Sequence, residues 1–235
     1  MKIGNFLIVA GLVLGSVLAD QQGNNSDKIS RFIYDRCRIY STDASAYDDI
    51  KTHLGQFGDY LTYAASLLPN GKEQFCNDER PKLAHLATQL AHDVKPCLPK
   101  DEKYLPKFMV ESFTSFLDFV CSQRTIENFF STQGADCRQN LKLNQEGQQV
   151  GNCFTKLFAR FDGKVRKDDL CLDLKASKKC FSEAIARSCP DFAAFESLNN
   201  RFFHAIRKPC NSAITTGFNS VVLLVAALIS TKLFS

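Results

Sequence analysis

Residues 81–97 read PKLAHLATQLAHDVKPC. Leu83, Leu86, Leu90, Val94 and Cys97 recur at intervals of three and four, the spacing that lines apolar side chains along one face of an α-helix. Lys82 to Lys95 is therefore expected to be helical, and Pro96 ends it, because a proline inside a helix loses a hydrogen bond and clashes with the preceding turn. The same helix constrains the cysteines. Cys76 and Cys97 lie near its two ends, roughly 30 Å apart at a rise of 1.5 Å per residue. A disulfide needs Cα atoms within about 7 Å, so these two are expected to take different partners.

Working outward, the spacing repeats almost everywhere. One set is Ile29, Phe32, Ile33, Cys37 and Tyr40; the next is Ile50, Leu54, Phe57, Leu61 and Leu68. Phe108, Phe113, Phe116, Leu117, Val120 and Cys121 follow, then a shorter set at Ile126, Phe129 and Phe130. Val150, Cys153, Phe154, Leu157, Phe158 and Phe161 form another, as do Leu170, Leu174, Phe181 and Ile185, and finally Phe192, Phe195, Leu198, Phe202 and Ile206. Proline and glycine fall between the sets: Pro69-Asn70-Gly71, Pro96 to Pro99, Pro106, Gly134, Asp162-Gly163 and Pro190. Asp191 stands where it could cap the last helix. No run alternates with period two. The expectation is an all-α domain of about seven or eight short helices, preceded by a polar lead-in from Asp20 to Asp27.

Ten cysteines punctuate these helices: Cys37, Cys76, Cys97, Cys121, Cys137, Cys153, Cys171, Cys180, Cys189 and Cys210. An even number in a secreted chain reads as five disulfides. The closest are nine residues apart, so there is no C-x-x-C of a zinc knuckle or a thioredoxin-type site. Spacing alone leaves the connectivity open. Two stretches resemble each other: Cys76 to Cys97 and Cys189 to Cys210 have the same length, end in Lys-Pro-Cys and carry His92 and His204 near that end. They are compatible with either duplication or chance.

The two ends give an address. Lys2, an apolar run from Ile3 to Leu18, and Val17 and Ala19 ahead of Asp20 make residues 1–19 a secretory signal peptide. Asn24-Asn25-Ser26 then offers Asn24 for glycosylation. Residues 20–212 form the expected extracellular domain. After Cys210 come the small residues Asn211, Ser212 and Ala213, a spacer, and the apolar stretch Val221 to Ile229. That is the layout of a GPI-attachment signal, with Asn211 or Ser212 as attachment residue and 213–235 as propeptide. The expected partner is the outer leaflet of a membrane, reached through the lipid anchor. Two rivals are a span from Phe218 to Phe234, which is short for a bilayer, and a soluble secreted protein with a greasy last helix.

Charge narrows the partners. Of 29 Lys plus Arg, removal of Lys2 and Lys232 leaves 27 against 25 Asp plus Glu in the mature segment. That near-balance does not argue for nucleic acid. Locally, Lys156, Arg160, Lys164, Arg166, Lys167, Lys175, Lys178, Lys179 and Arg187 could face anionic lipid or glycan, but acidic residues interleave them as on a solvated face.

The stretches CLPKDEKYLPKFMVESFTSFLDFVC (Cys97 to Cys121), IENFFSTQGADC ending at Cys137, and GNCF at Cys153 resemble the insect 27-kilodalton haemolymph glycoprotein family. Cysteine order and the Lys-Pro-Cys ends carry the resemblance from about Cys37 to Cys210. It implies an extracellular, disulfide-rich helical domain with no established activity and no catalytic residues to transfer. The apolar C-terminal tail departs from soluble members and favours a cell surface.

No catalytic motif stands out, no cofactor or metal is expected, and the favoured reading is a non-enzymatic interaction or structural protein. His92-Asp93 before Cys97 resembles the helix of secreted phospholipases A2, but lacks the preceding cysteine pair and a calcium loop, so a phospholipid hydrolase is the weakest reading. His85 and His92 share a helix face without a third metal ligand in evidence. There is no G-x-S-x-G. The acidic pairs Asp48-Asp49 and Asp168-Asp169 suit helix N-termini. Phenylalanine is abundant, 20 residues with fourteen between Phe108 and Phe203 and no tryptophan. They fill a core, or, in the alternative function, line a site for an apolar small-molecule ligand.

Overall fold

The computed structural model describes residues 22–68, 71–122, 137, 140, 153, 164–189 and 193–211. The expected signal peptide, the helices expected around 126–130 and 150–161, the expected cap at Asp191, Ser212 and the tail 213–235 lie outside the described residues.

Among the described residues there are seven helices and no strand. They are α1 (Gln22–Tyr40), α2 (Ala46–Leu67), α3, α4 (Leu105–Cys121), α5 (Lys167–Ser188), α6 (Ala193–Ile206) and α7 (Lys208–Asn211). Helix α3 is compound: Lys72–Gln74, a π-helical turn Phe75–Glu79, then regular α-helix Arg80–Val94. Two 3₁₀ turns, Lys95–Cys97 and Lys100–Glu102, link α3 to α4. Helix α1 starts at Gln22, which makes the polar lead-in helical from there and puts Asn24 in its first turn.

The apolar spacing explains the packing. Helix α3 buries Leu83, Ala87, Leu90, Ala91 and Val94, with Leu86 only partly covered. Ala87 and Ala91 keep that face shallow where α2 and α4 pack on either side of it. The π-turn, its Arg80 N–H bonded to the Phe75 carbonyl, keeps residues four apart in line, so Phe75 and Glu79 face inward ahead of Leu83. Helix α4 is central and apolar on most sides, burying Leu105, Phe108, Met109, Phe113, Leu117 and Val120. It packs on α3 and on α6, and α6 packs on α5. Prolines 81 and 106 sit in the first turns of their helices, where the missing N–H costs nothing. The acidic pairs occupy the first turns of α2 and α5.

All ten cysteines form five disulfides. Cys37 joins Cys97, Cys76 joins Cys121, Cys137 joins Cys189, Cys153 joins Cys180 and Cys171 joins Cys210, with Cα separations of 4.1 to 5.7 Å. Cys76 and Cys97 thus take different partners, as the length of α3 requires. Sequence separations of 27 to 60 residues correspond to about 3.5–4.5 kcal/mol each in the chain-entropy model. The two Lys-Pro-Cys ends are both tight helical turns fastened to an earlier helix, Cys97 to α1 and Cys210 to α5. The resemblance stops there, because Cys76 bonds forward and Cys189 bonds backward.

No disulfide joins residues up to Cys121 with residues from Cys137 onward. The two covalent units meet through α4 and α6, where Phe202 meets Phe116 and Phe119 edge-on at centroid distances of 6.1 and 6.0 Å. Phe57, Phe75, Phe108, Phe113, Phe181, Phe195 and Phe203 are buried in the core.

Candidate functional site

Helix α6 has two faces. Phe195, Leu198, Asn199, Phe203 and Ile206 turn inward, and Asn199 donates a 2.7 Å hydrogen bond to Ser182 of α5. Its other face borders an open groove of about 750 Å³ against α4, to which it and α7 contribute Glu196, Ser197, Asn200, Arg201, His204 and Lys208. Helix α4 contributes Ser115, Asp118 and Phe119.

Two contacts shape the α4 wall. Arg80 reaches across from α3 to the Asp118 carboxylate at 2.9 Å. Arg201 donates a 2.7 Å hydrogen bond to Ser122 Oγ, and its guanidinium lies 6.0 Å from the Phe119 ring centre. Asn200 and His204 of α6 and Lys208 of α7 are exposed. The groove therefore offers amide, hydroxyl, imidazole, cationic and carboxylate groups beside one aromatic edge.

Two buried carboxylates lie elsewhere, at positions that no local pattern marks. Glu102, in the second 3₁₀ turn, is fully buried. One of its oxygens accepts from Arg36 at 2.9 Å and from the Val165 N–H at 3.0 Å; the other, Oε2, has no hydrogen-bond partner. Burial pushes its carboxyl above the usual value of 4.5, against the lowering influence of Val165 N–H and Arg36. Next to it the Tyr104 hydroxyl donates to the Val165 carbonyl, and burial raises its pKa too. Lys164 pairs with Asp101 and holds that carboxyl below 3.8. Glu79 receives the Tyr60 hydroxyl and pairs with Lys82 at 3.3 Å. Both clusters tie elements together within the packed body.

The histidines marked by the sequence are exposed. Asp93 pairs with His53 of α2 at 2.7 Å, whereas His92 is 85% exposed. The His-Asp motif is thus part of a surface bridge between α2 and α3. His85 is exposed on α3, and among the described residues no cluster of potential ligands could hold a metal ion. Asn211 ends α7, directly after disulfide-bonded Cys210. Spacing could mark α6 as amphipathic, but only its packing on α4 shows that the polar side borders a groove.

No curated protein and no solved structure matches the chain. One family does, over residues 72–211, from the start of α3 to the end of α7. That span holds nine of the ten cysteines, all but Cys37. The chain belongs to the family described as protein of unknown function (DUF1397).

Proposed function

We propose that this protein is a non-enzymatic extracellular interaction protein, held at the outer face of a membrane by a lipid anchor on Asn211 or Ser212. The observation that carries the reading is the closure of all ten cysteines into five disulfides, a state that persists in oxidising compartments outside the cytosol. The N-terminal apolar run and the small-residue triplet before the apolar tail support secretion and anchoring respectively. The likeness of the Cys97 to Cys121 stretch to insect haemolymph glycoproteins supports the extracellular setting. The groove between α4 and α6 is the surface offered to a partner, with polar side chains around an aromatic edge.

The test is expression of the full chain in insect cells, followed by treatment of intact cells with phosphatidylinositol-specific phospholipase C. Release into the medium, alongside an anchored control, is the expected result. Protein already in the medium before treatment would remove the anchor from the proposal. Retention on the cells while the control is released would replace it with a spanning tail.

A further inference from the structure

The chain leaves the described fold at Asn211, and the disulfide between Cys210 and Cys171 fixes where. The two Cα atoms are 5.7 Å apart. Asn211 follows Cys210 and Leu172 follows Cys171, so with 3.8 Å per step their Cα atoms lie within about 13 Å. Leu172 is 61% exposed, so its aliphatic side chain is open to a partner surface.

Leu172 has cationic neighbours. At 3.6 residues per turn, Lys179 projects within about 20° of Leu172 and Lys175 within about 60°. Lys175 is also one turn beyond Cys171. Both lysines are exposed, and neither pairs with a carboxylate among the described residues. Lys208, one turn before Asn211, is exposed as well. Acidic residues share this side: Asp168 stands one turn before Leu172, Glu183 one turn after Lys179, and Asp169, paired with Arg166, about 60° to the other side; Ala176 and Ala186 complete the stripe.

We infer that this face of α5, centred on Leu172, Lys175 and Lys179, rests on the lipid surface, with Leu172 entering the headgroup layer and the lysines meeting lipid phosphates. The inference rests on the proposed tether for its location. Residues 212–235, with their apolar stretch Val221 to Ile229, follow Asn211 in the chain, and Asn211 is within about 13 Å of this patch. An exposed aliphatic flanked by lysines is the chemistry of an interfacial contact, and each lysine close to an anionic surface strengthens binding roughly fivefold.

The experiment is flotation with vesicles of phosphatidylcholine alone and of phosphatidylcholine with phosphatidylserine. It uses the full-chain expression product collected from whichever fraction carries it, lipase-released, secreted or detergent-extracted. The wild type is expected to float with the anionic vesicles. The double substitution Lys175→Glu/Lys179→Glu and the single Leu172→Asp should each lower the bound fraction at least about tenfold, while Lys175→Arg/Lys179→Arg retains it. Circular dichroism matching the wild type shows that the variants are folded. Absence of wild-type flotation, or equal flotation of the glutamate variant, overturns the inference. These outcomes are separable from those of the lipase test. Release without vesicle binding sinks the contact face and leaves the tether, whereas binding by a never-anchored protein sinks the tether and leaves the face.

Discussion

The Tyr104 hydroxyl donates a 2.8 Å hydrogen bond to the backbone carbonyl of Val165, 61 residues away and on the other side of the disulfide divide. Tyr104 is 3% exposed and Val165 2%. The bond joins the two covalent units inside the packed body, where an unpaired carbonyl has no water to turn to. Tyr104→Phe keeps the ring and removes the donor. It should destabilise the fold by about 1–3 kcal/mol, read as a lower urea midpoint with an unchanged slope.

Glu102 sits beside that bond and gives the fold a pH dependence. Its carboxyl titrates above 4.5 in the folded state because burial disfavours the charge. Its contribution is complete at pH values below the unfolded pKa and is lost as pH rises through the folded one. Asp101, held down by Lys164, acts in the opposite direction and in a separate window below 3.8. Glu102→Gln mimics the protonated acid. Between about pH 4 and pH 7, urea midpoints should move in favour of the variant as pH rises. A constant difference between the two proteins would rule out titration of Glu102 as the cause.

The divide itself can be tested by cutting. A protease site inserted within residues 123–136 would lie between Cys121 and Cys137, the gap that no disulfide spans. After cleavage the product should run as one species in native size exclusion and as two on a denaturing gel without reductant. Two species in the native separation would mean that the α4–α6 contact and the Tyr104, Glu102 and Lys164 links do not hold the units together.

Much of the architecture was legible because it is local. The three- and four-residue stride of Leu83, Leu86, Leu90 and Val94 sets the helix and the side it buries, and the length of α3 alone separates Cys76 from Cys97. The alanines at 87 and 91 do not announce themselves in that stripe, since a small residue carries little hydrophobic signal until another helix leans on it. Glu79 takes an inward position that the π-turn creates, and its charge disguises that position. Glu102 reads as part of a polar loop between prolines; its burial comes from Val165, 63 residues away, and no local pattern encodes such a contact. The groove is a similar case, because Glu196, Arg201 and His204 look like any solvated stripe until α4 stands opposite.

The bond between Cys171 and Cys210 also has a mechanical consequence. Any pull applied at Asn211 reaches Cys210 one residue later and crosses the sulfur bridge into the first turns of α5. Helix α6 lies between Cys189 and Cys210, off this route into α5. One wall of the groove is therefore insulated from whatever drags on the end of the chain, and a protein held under shear would keep that wall's shape.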